Sequence, residues 1–157
     1  MSELKAQLRA DLTAAMKARD ELTKATLRMV ISAITNEEVS GATARELTDP
    51  EVMIVLAREV KKRKESAEAF SAAGRTELAA REVAESSVIQ AYLPAQLSDE
   101  ALSGLVDAAV AEVAEQSGGA VTMKQMGQVI KAVQARAAGQ ADGGRVSGAV
   151  KAALAKI

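Results

Sequence analysis

The side chains best suited to chemistry gather near the C-terminus. Lys124, Gln128 and Lys131 recur at steps of four and three, so at 100° per residue they share one side of a helix. Arg136 follows on the same segment, and Arg145 and Lys151 lie on the next. Arg145 and Lys156, eleven residues apart, return to one face. Cations at such intervals can reach successive phosphates, and each contact releases counterions, giving an affinity that falls with salt. The stretch 117–157 holds six Lys/Arg against one acid, Asp142, whereas 98–116 holds five acids and no base. An overall charge of −1 conceals that polarity. A basic helical end on a near-neutral chain points to an anionic partner, with RNA or DNA foremost. The spacing is equally compatible with a solvated helix face. No aromatic residue lies in the segment to stack a base, so recognition there would be of backbone and shape.

Catalysis finds little support. Histidine and cysteine are both missing from the sequence, which removes the commonest general base, the commonest metal ligand and thiolate chemistry. Ser86, Ser87, Ser103 and Ser147 have no evident activating base. The acid pairs Asp99-Glu100 and Glu37-Glu38 are explained by a helix start and a helix end, and no acid cluster has metal-ligand spacing. No cofactor is expected. The turn from Gly139 to Gly144 superficially suggests a phosphate cradle, but Asp142 would repel phosphate and no Walker lysine follows. A turn in which Gly139 closes one helix and Asp142 caps the next is the better reading. Gly127 falls inside a helix, at a cost of about 1 kcal/mol relative to alanine. It is expected to admit a close approach, of a neighbouring helix first and of RNA second.

Arg63 interrupts an apolar stripe. Val52, Leu56, Val60, Ala67 and Phe70 repeat at helical steps, and Arg63 fills the missing position between Val60 and Ala67. An arginine there must snorkel, bind a ligand or pair with an acid. Glu37 and Glu38 continue the stripe of Val30, Ile31 and Ile34 on the preceding helix. A partly buried pair between Arg63 and one of these acids, tying the second helix to the third, is the expected arrangement.

Helices must position all of these groups. Alanine supplies 34 residues, one Tyr and one Phe are present, and no segment alternates apolar and polar residues as a half-buried strand would. The chain is expected to be all-α. Ser2 can cap a first helix with Leu4, Leu8, Leu12 and Met16 at four-residue steps, and a second begins near Asp20. Thr48-Asp49-Pro50-Glu51 forms a capping box with Pro in the first turn, opening a third helix that runs to about Phe70. Gly74 separates it from a fourth reaching Tyr92, and Pro94 stops that helix. Ser98 caps the fifth, Gly118-Gly119 ends it, the Thr122–Gln125 box opens the sixth, and Asp142 caps the seventh. On the sixth, Met123, Met126, Ile130 and Val133 form the expected apolar side. The boundary at Pro94 divides the chain into a four-helix domain, 1–95, and a three-helix domain, 96–157. The N-terminus has no apolar signal core and no apolar run is long enough to span a bilayer. A cytoplasmic protein without a membrane partner is the expectation.

The motif Met126-Gly127-Gln128-Val129, followed by Gly139-Gln140-Ala141-Asp142-Gly143 and then Val146, Val150 and Leu154, resembles the signature of the GatB/YqeY family. The runs Leu27-Arg28-Met29-Val30, Asn36-Glu37, Arg58-Glu59, Lys61 to Ser66 and Tyr92 to Ser98 are similar to the family's other patterns. Together they cover nearly the whole chain, and the free-standing YqeY-like type fits best. The resemblance implies a helical N-terminal domain followed by a small three-helix domain related to the tail of the tRNA amidotransferase B subunit. It implies tRNA as partner, with amidotransferase or aminoacyl-tRNA synthetase components as further ones. It also attaches a carbon–nitrogen ligase activity with glutamine as amido donor. Nothing here looks like the parent complex's amidase or its ATP-using core, so an accessory, non-catalytic role is expected. A protein–protein adapter is the remaining alternative.

Overall fold

Hydroxyl and carboxylate caps decide where the helices begin. In the computed structural model, which describes residues 1–137 and 139–156, every regular element among those residues is helical. Ser2 accepts the Lys5 amide at 3.0 Å and opens α1, Glu3–Ala18. Asp20 accepts the Thr23 amide at 3.1 Å and opens α2, Glu21–Glu38; hydrogen bonds from Thr23 hold its carboxyl below the ordinary carboxylate range. Thr48 precedes α3, Asp49–Ala72, with Pro50 in the first turn. The Glu51 carboxylate accepts the Thr48 amide at 2.8 Å and Arg45 through two bonds of 3.0 and 2.7 Å. Arg45 first, and then Thr48, lowers the Glu51 pKa to about 2.

Gly74, at φ +75°, turns the chain between α3 and α4, Thr76–Gln90. Ser98 caps α5, Asp99–Ser117; α6 spans Met126–Ala137 and α7 spans Gly143–Ala155. The sixth helix starts later than expected. The Thr122 box, in which Gln125 accepts the Thr122 amide at 2.8 Å, closes a 3-10 turn over Met123–Gln125 that leads into α6. Residues in a 3-10 turn advance by about 120° instead of 100°. Met123, inside that turn, is 49% exposed, whereas Val129 and Val133, four residues apart on regular α6, are both buried.

The chain divides into two compact units, Met1–Pro94 and Ala95–Ile157. In the first, α1 to α4 bury Leu8, Leu27, Val30, Ile34, Leu56 and Ile89 completely. Each such side chain contributes roughly 1.5–3 kcal/mol on leaving water. Lys5 and Glu38 form a buried ion pair at 2.5 Å, and the other Glu38 oxygen accepts the Leu47 amide at 3.2 Å. The Lys5 hydrogen bond lowers the Glu38 pKa against the opposing effect of burial. Tyr92 donates its hydroxyl to Asp11 at 2.5 Å, tying the end of the first unit to α1; burial and then Asp11 push its pKa up.

In the second unit the core is Val106, Ala109, Val129, Val133, Val146 and Val150. Its leading strand of chain lies along the turn between α6 and α7. Leu97 donates its amide to the Gln140 carbonyl at 2.8 Å, and the Gln140 side chain donates to the Ala95 carbonyl at 3.3 Å. None of the described helices is long and apolar enough to cross a membrane.

Candidate functional site

The basic residues of the second unit do not form one surface. Lys124, in the 3-10 turn, and Gln128 and Lys131, on α6, are exposed and have no ion pair among the described contacts, as is Lys151 on α7. Arg136 instead pairs with Glu112 of α5. Arg145 donates through Nη2 to the Leu97 carbonyl and to Asp99, each at 2.9 Å. These two arginines hold α6 and α7 to α5 and its leading strand. The unit 95–157 carries six Lys/Arg and six Asp/Glu, 6 − 6 = 0, so the charge polarity seen along the sequence cancels within it. Two of the five acids of α5, Asp99 and Glu112, meet bases of α7 and α6.

Gly127 is exposed, and a Cβ added there would meet nothing within 4 Å. The close helix approach expected of it is absent. Gly139, just past α6, takes φ +82°, the left-handed backbone a helix-ending glycine supplies. Asp142 accepts the Arg145 amide at 3.0 Å and caps α7.

The first unit contains the stronger constellation. Arg63 is 5% exposed, as its place in the apolar stripe requires, but neither Glu37 nor Glu38 is its partner. Glu37 pairs with Arg58 at 2.9 Å, and Glu38 is taken by Lys5. Arg63 donates from Nη1 to the Glu59 carboxylate at 2.6 Å and to the Glu59 carbonyl at 3.1 Å, and from Nε to Glu85 at 3.2 Å. The pair thus joins α3 to α4, not α2 to α3. The reason is packing: α4 folds back along α3 through the short turn at Gly74 and delivers Glu85 to the guanidinium. Glu59 and Glu85 are themselves buried, and Lys62 and Arg81 extend the network at 3.3 Å to each. Glu59, four residues before Arg63, was detectable as an i,i+4 pair. Glu85 and the Lys5–Glu38 pair had no comparable signal.

A cavity of about 540 Å³ opens above this network between α2, α3 and α4. Arg28, Met29, Asn36, Glu59, Lys62 and Arg63 line it. All six belong to the N-terminal runs on which the family resemblance stands. Ser86 accepts the Gln90 amide nitrogen at 3.2 Å, and Ser87 donates to the Val83 carbonyl at 3.1 Å. Among the described residues no three acids gather to hold a metal.

An all-helical chain with a polar, ion-paired groove in its first unit and a three-helix second unit defines the class. A sequence model described as Yqey-like protein matches residues 5–154, and the chain belongs to the YqeY family. Among its relatives is the altered inheritance of mitochondria protein 41, mitochondrial, of Eremothecium gossypii, 32% identical over 126 residues, covering 79% of this chain and 68% of that one. The protein of the same name from Clavispora lusitaniae is 37% identical over 90 residues, 57% of this chain and 51% of its own. That of Lachancea thermotolerans is 35% identical over 88 residues, 56% and 46% respectively. The chain thus spans about half the length of two of these relatives. Their names correct the expectation of a cytoplasmic protein. That none of the described helices is long and apolar enough to cross a membrane does not choose among compartments.

Proposed function

We propose that this YqeY-family chain is a non-catalytic helical binding protein whose second unit engages tRNA through the exposed side chains Lys124, Gln128 and Lys131, with Lys151 adding charge. The observation that carries the reading is that these side chains are exposed and free of acid partners among the described contacts, while Arg136 and Arg145 are committed within the unit. In this reading the two units are separate domains, four helices and three. Amide transfer from glutamine, which the resemblance attaches to the family, would be carried out by amidotransferase components, with this chain as a tRNA-holding companion.

Three lysines imply few phosphate contacts and a shallow salt dependence, with a slope of log K against log salt on the order of −2 to −3. Titrating total tRNA at two salt concentrations tests the reading. Replacing Lys124 and Lys131 together by Glu should weaken binding at low salt and reduce the slope by about 2. Arg145 is left intact, because removing it would disturb α7. Binding unchanged in the double variant would sink the assignment. A protein–protein adapter is the second reading, favoured by the zero net charge of the unit. No tRNA binding even at low salt would support it.

A further inference from the structure

The groove of the first unit holds a cation that the protein satisfies only in part. Arg63 has five N–H bonds. Three of them reach oxygen, in Glu59 and Glu85. The remaining group, Nη2, contacts only the Met29 sulfur at 3.7 Å. A thioether is a weak acceptor, and a buried guanidinium is strongly served by oxygen. Met29 is itself 43% exposed and lines the same cavity as Arg63, which is only 5% exposed. A buried charged donor with a thioether as the partner of one group thus borders open space.

The other lining groups decide what could accept those donors. Glu59 and Glu85 are neutralised by Arg63, Lys62 and Arg81. Glu82 lines the same cavity and has no cationic partner among the described contacts, and Arg28 has no acid partner there. Ser32, Asn36 and Ser66 also line it, with no side-chain hydrogen bond to the protein among the described residues. Arg28, Lys62 and Arg63 line the cavity with Glu59, Glu82 and Glu85, and Arg81 adds a cation at Glu85 from outside the lining. Glu82 is the lining carboxylate left to face a ligand, where it repels a second anionic group and suits an ammonium. A molecule with one carboxylate and one ammonium matches this lining: an acceptor for Nη2, a cation for Glu82, and partners for the amide and hydroxyls.

We infer that the cavity between α2, α3 and α4 is a binding site for a small zwitterion of the free α-amino acid class, with its carboxylate on Nη2 of Arg63 and its ammonium towards Glu82. A volume of about 540 Å³ lies within the range of small-ligand sites and leaves room for a side chain beyond the shared head group. The site is distinct from the lysine face of the second unit, so either can fail without the other.

The test uses the full chain and free α-amino acids as probes, each at millimolar concentration, in a thermal-shift screen followed by calorimetric titration. Acetate, methylamine and inorganic phosphate serve as separate controls. At least one amino acid should raise the melting temperature, while acetate and methylamine alone should not. Glu82→Gln, at a partly exposed position outside the Arg63 network, should leave the free protein's melting temperature unchanged and weaken binding about tenfold, as loss of one charged contact does. Asn36→Ala should weaken it by a smaller factor. Binding of phosphate in preference to every amino acid overturns the inference, as does a full panel without a shift. Equal affinity of the wild type and Glu82→Gln overturns the orientation and with it the zwitterion.

Discussion

Arg63 shows how far single residues can be read. Its burial was legible, because the stripe of Val52, Leu56, Val60 and Ala67 leaves a helical step that only Arg63 can fill. Its partners were only half legible. Glu59 lies one turn away on the same helix, whereas Glu85 is reached only through the way α4 returns along α3. Local periodicity carries no information about which neighbour packs against a stripe, and Glu37 and Glu38 were equally well placed on paper. Removing the cation should be costly. In Arg63→Met, Glu59 and Glu85 stay buried, with only the exposed Lys62 and Arg81 to compensate them. The loss expected on breaking a buried pair is about 3 kcal/mol. Urea unfolding of the variant measures it, and Arg63→Met with Glu85→Gln should lose less than Arg63→Met alone, since one uncompensated charge is removed. Equal losses in the two variants would mean that the network contributes packing, not charge pairing.

Among elements, starts were readable and phases were not. Ser2, Asp20, Ser98 and Asp142 each cap the helix their neighbours suggested, because a side-chain oxygen followed by an apolar period is a local signal. The Thr122 box also forms, but it closes a 3-10 turn in which Met123 is exposed, while Val129 is buried on α6 a helical step from Met126 and Val133. Gly127 lies on the same helix. Its helical position suggested a tight contact, yet open space surrounds it. A glycine that permits nothing merely weakens its helix, so Gly127→Ala should stabilise the chain by roughly 0.5–1 kcal/mol, read as a higher urea midpoint. A lower midpoint would show that the backbone there needs glycine for a reason the surrounding atoms do not display.

For the molecule as a whole, charge counted along the chain and charge counted in space disagree. Residues 117–157 are basic and residues 98–116 are acidic, but α5, α6 and α7 form one unit in which the two sets meet as Arg136–Glu112 and Arg145–Asp99. Folding thus pairs two of the six bases of this end, Arg136 and Arg145, with acids of α5 and leaves the lysines exposed. The same pairings bear on whether residues 95–157 form an independent domain. A chain of this size buries only about 60% of its unfolded surface and is marginal by size alone. In its favour, the unit has a closed core of Val106, Val129, Val133, Val146 and Val150, and its leading strand is pinned by Leu97 and Gln140. Both arginine pairs are internal to it as well. A fragment of residues 95–157 should therefore unfold in urea as a single cooperative helical transition, followed by circular dichroism. Charge reversal of Asp99 in that fragment should lower the midpoint by replacing the carboxylate that pairs Arg145 with the first turn of α5. A gradual loss of helicity without a transition would show that the unit depends on residues 1–94 for its fold and that the boundary at Pro94 divides contacts without dividing stability.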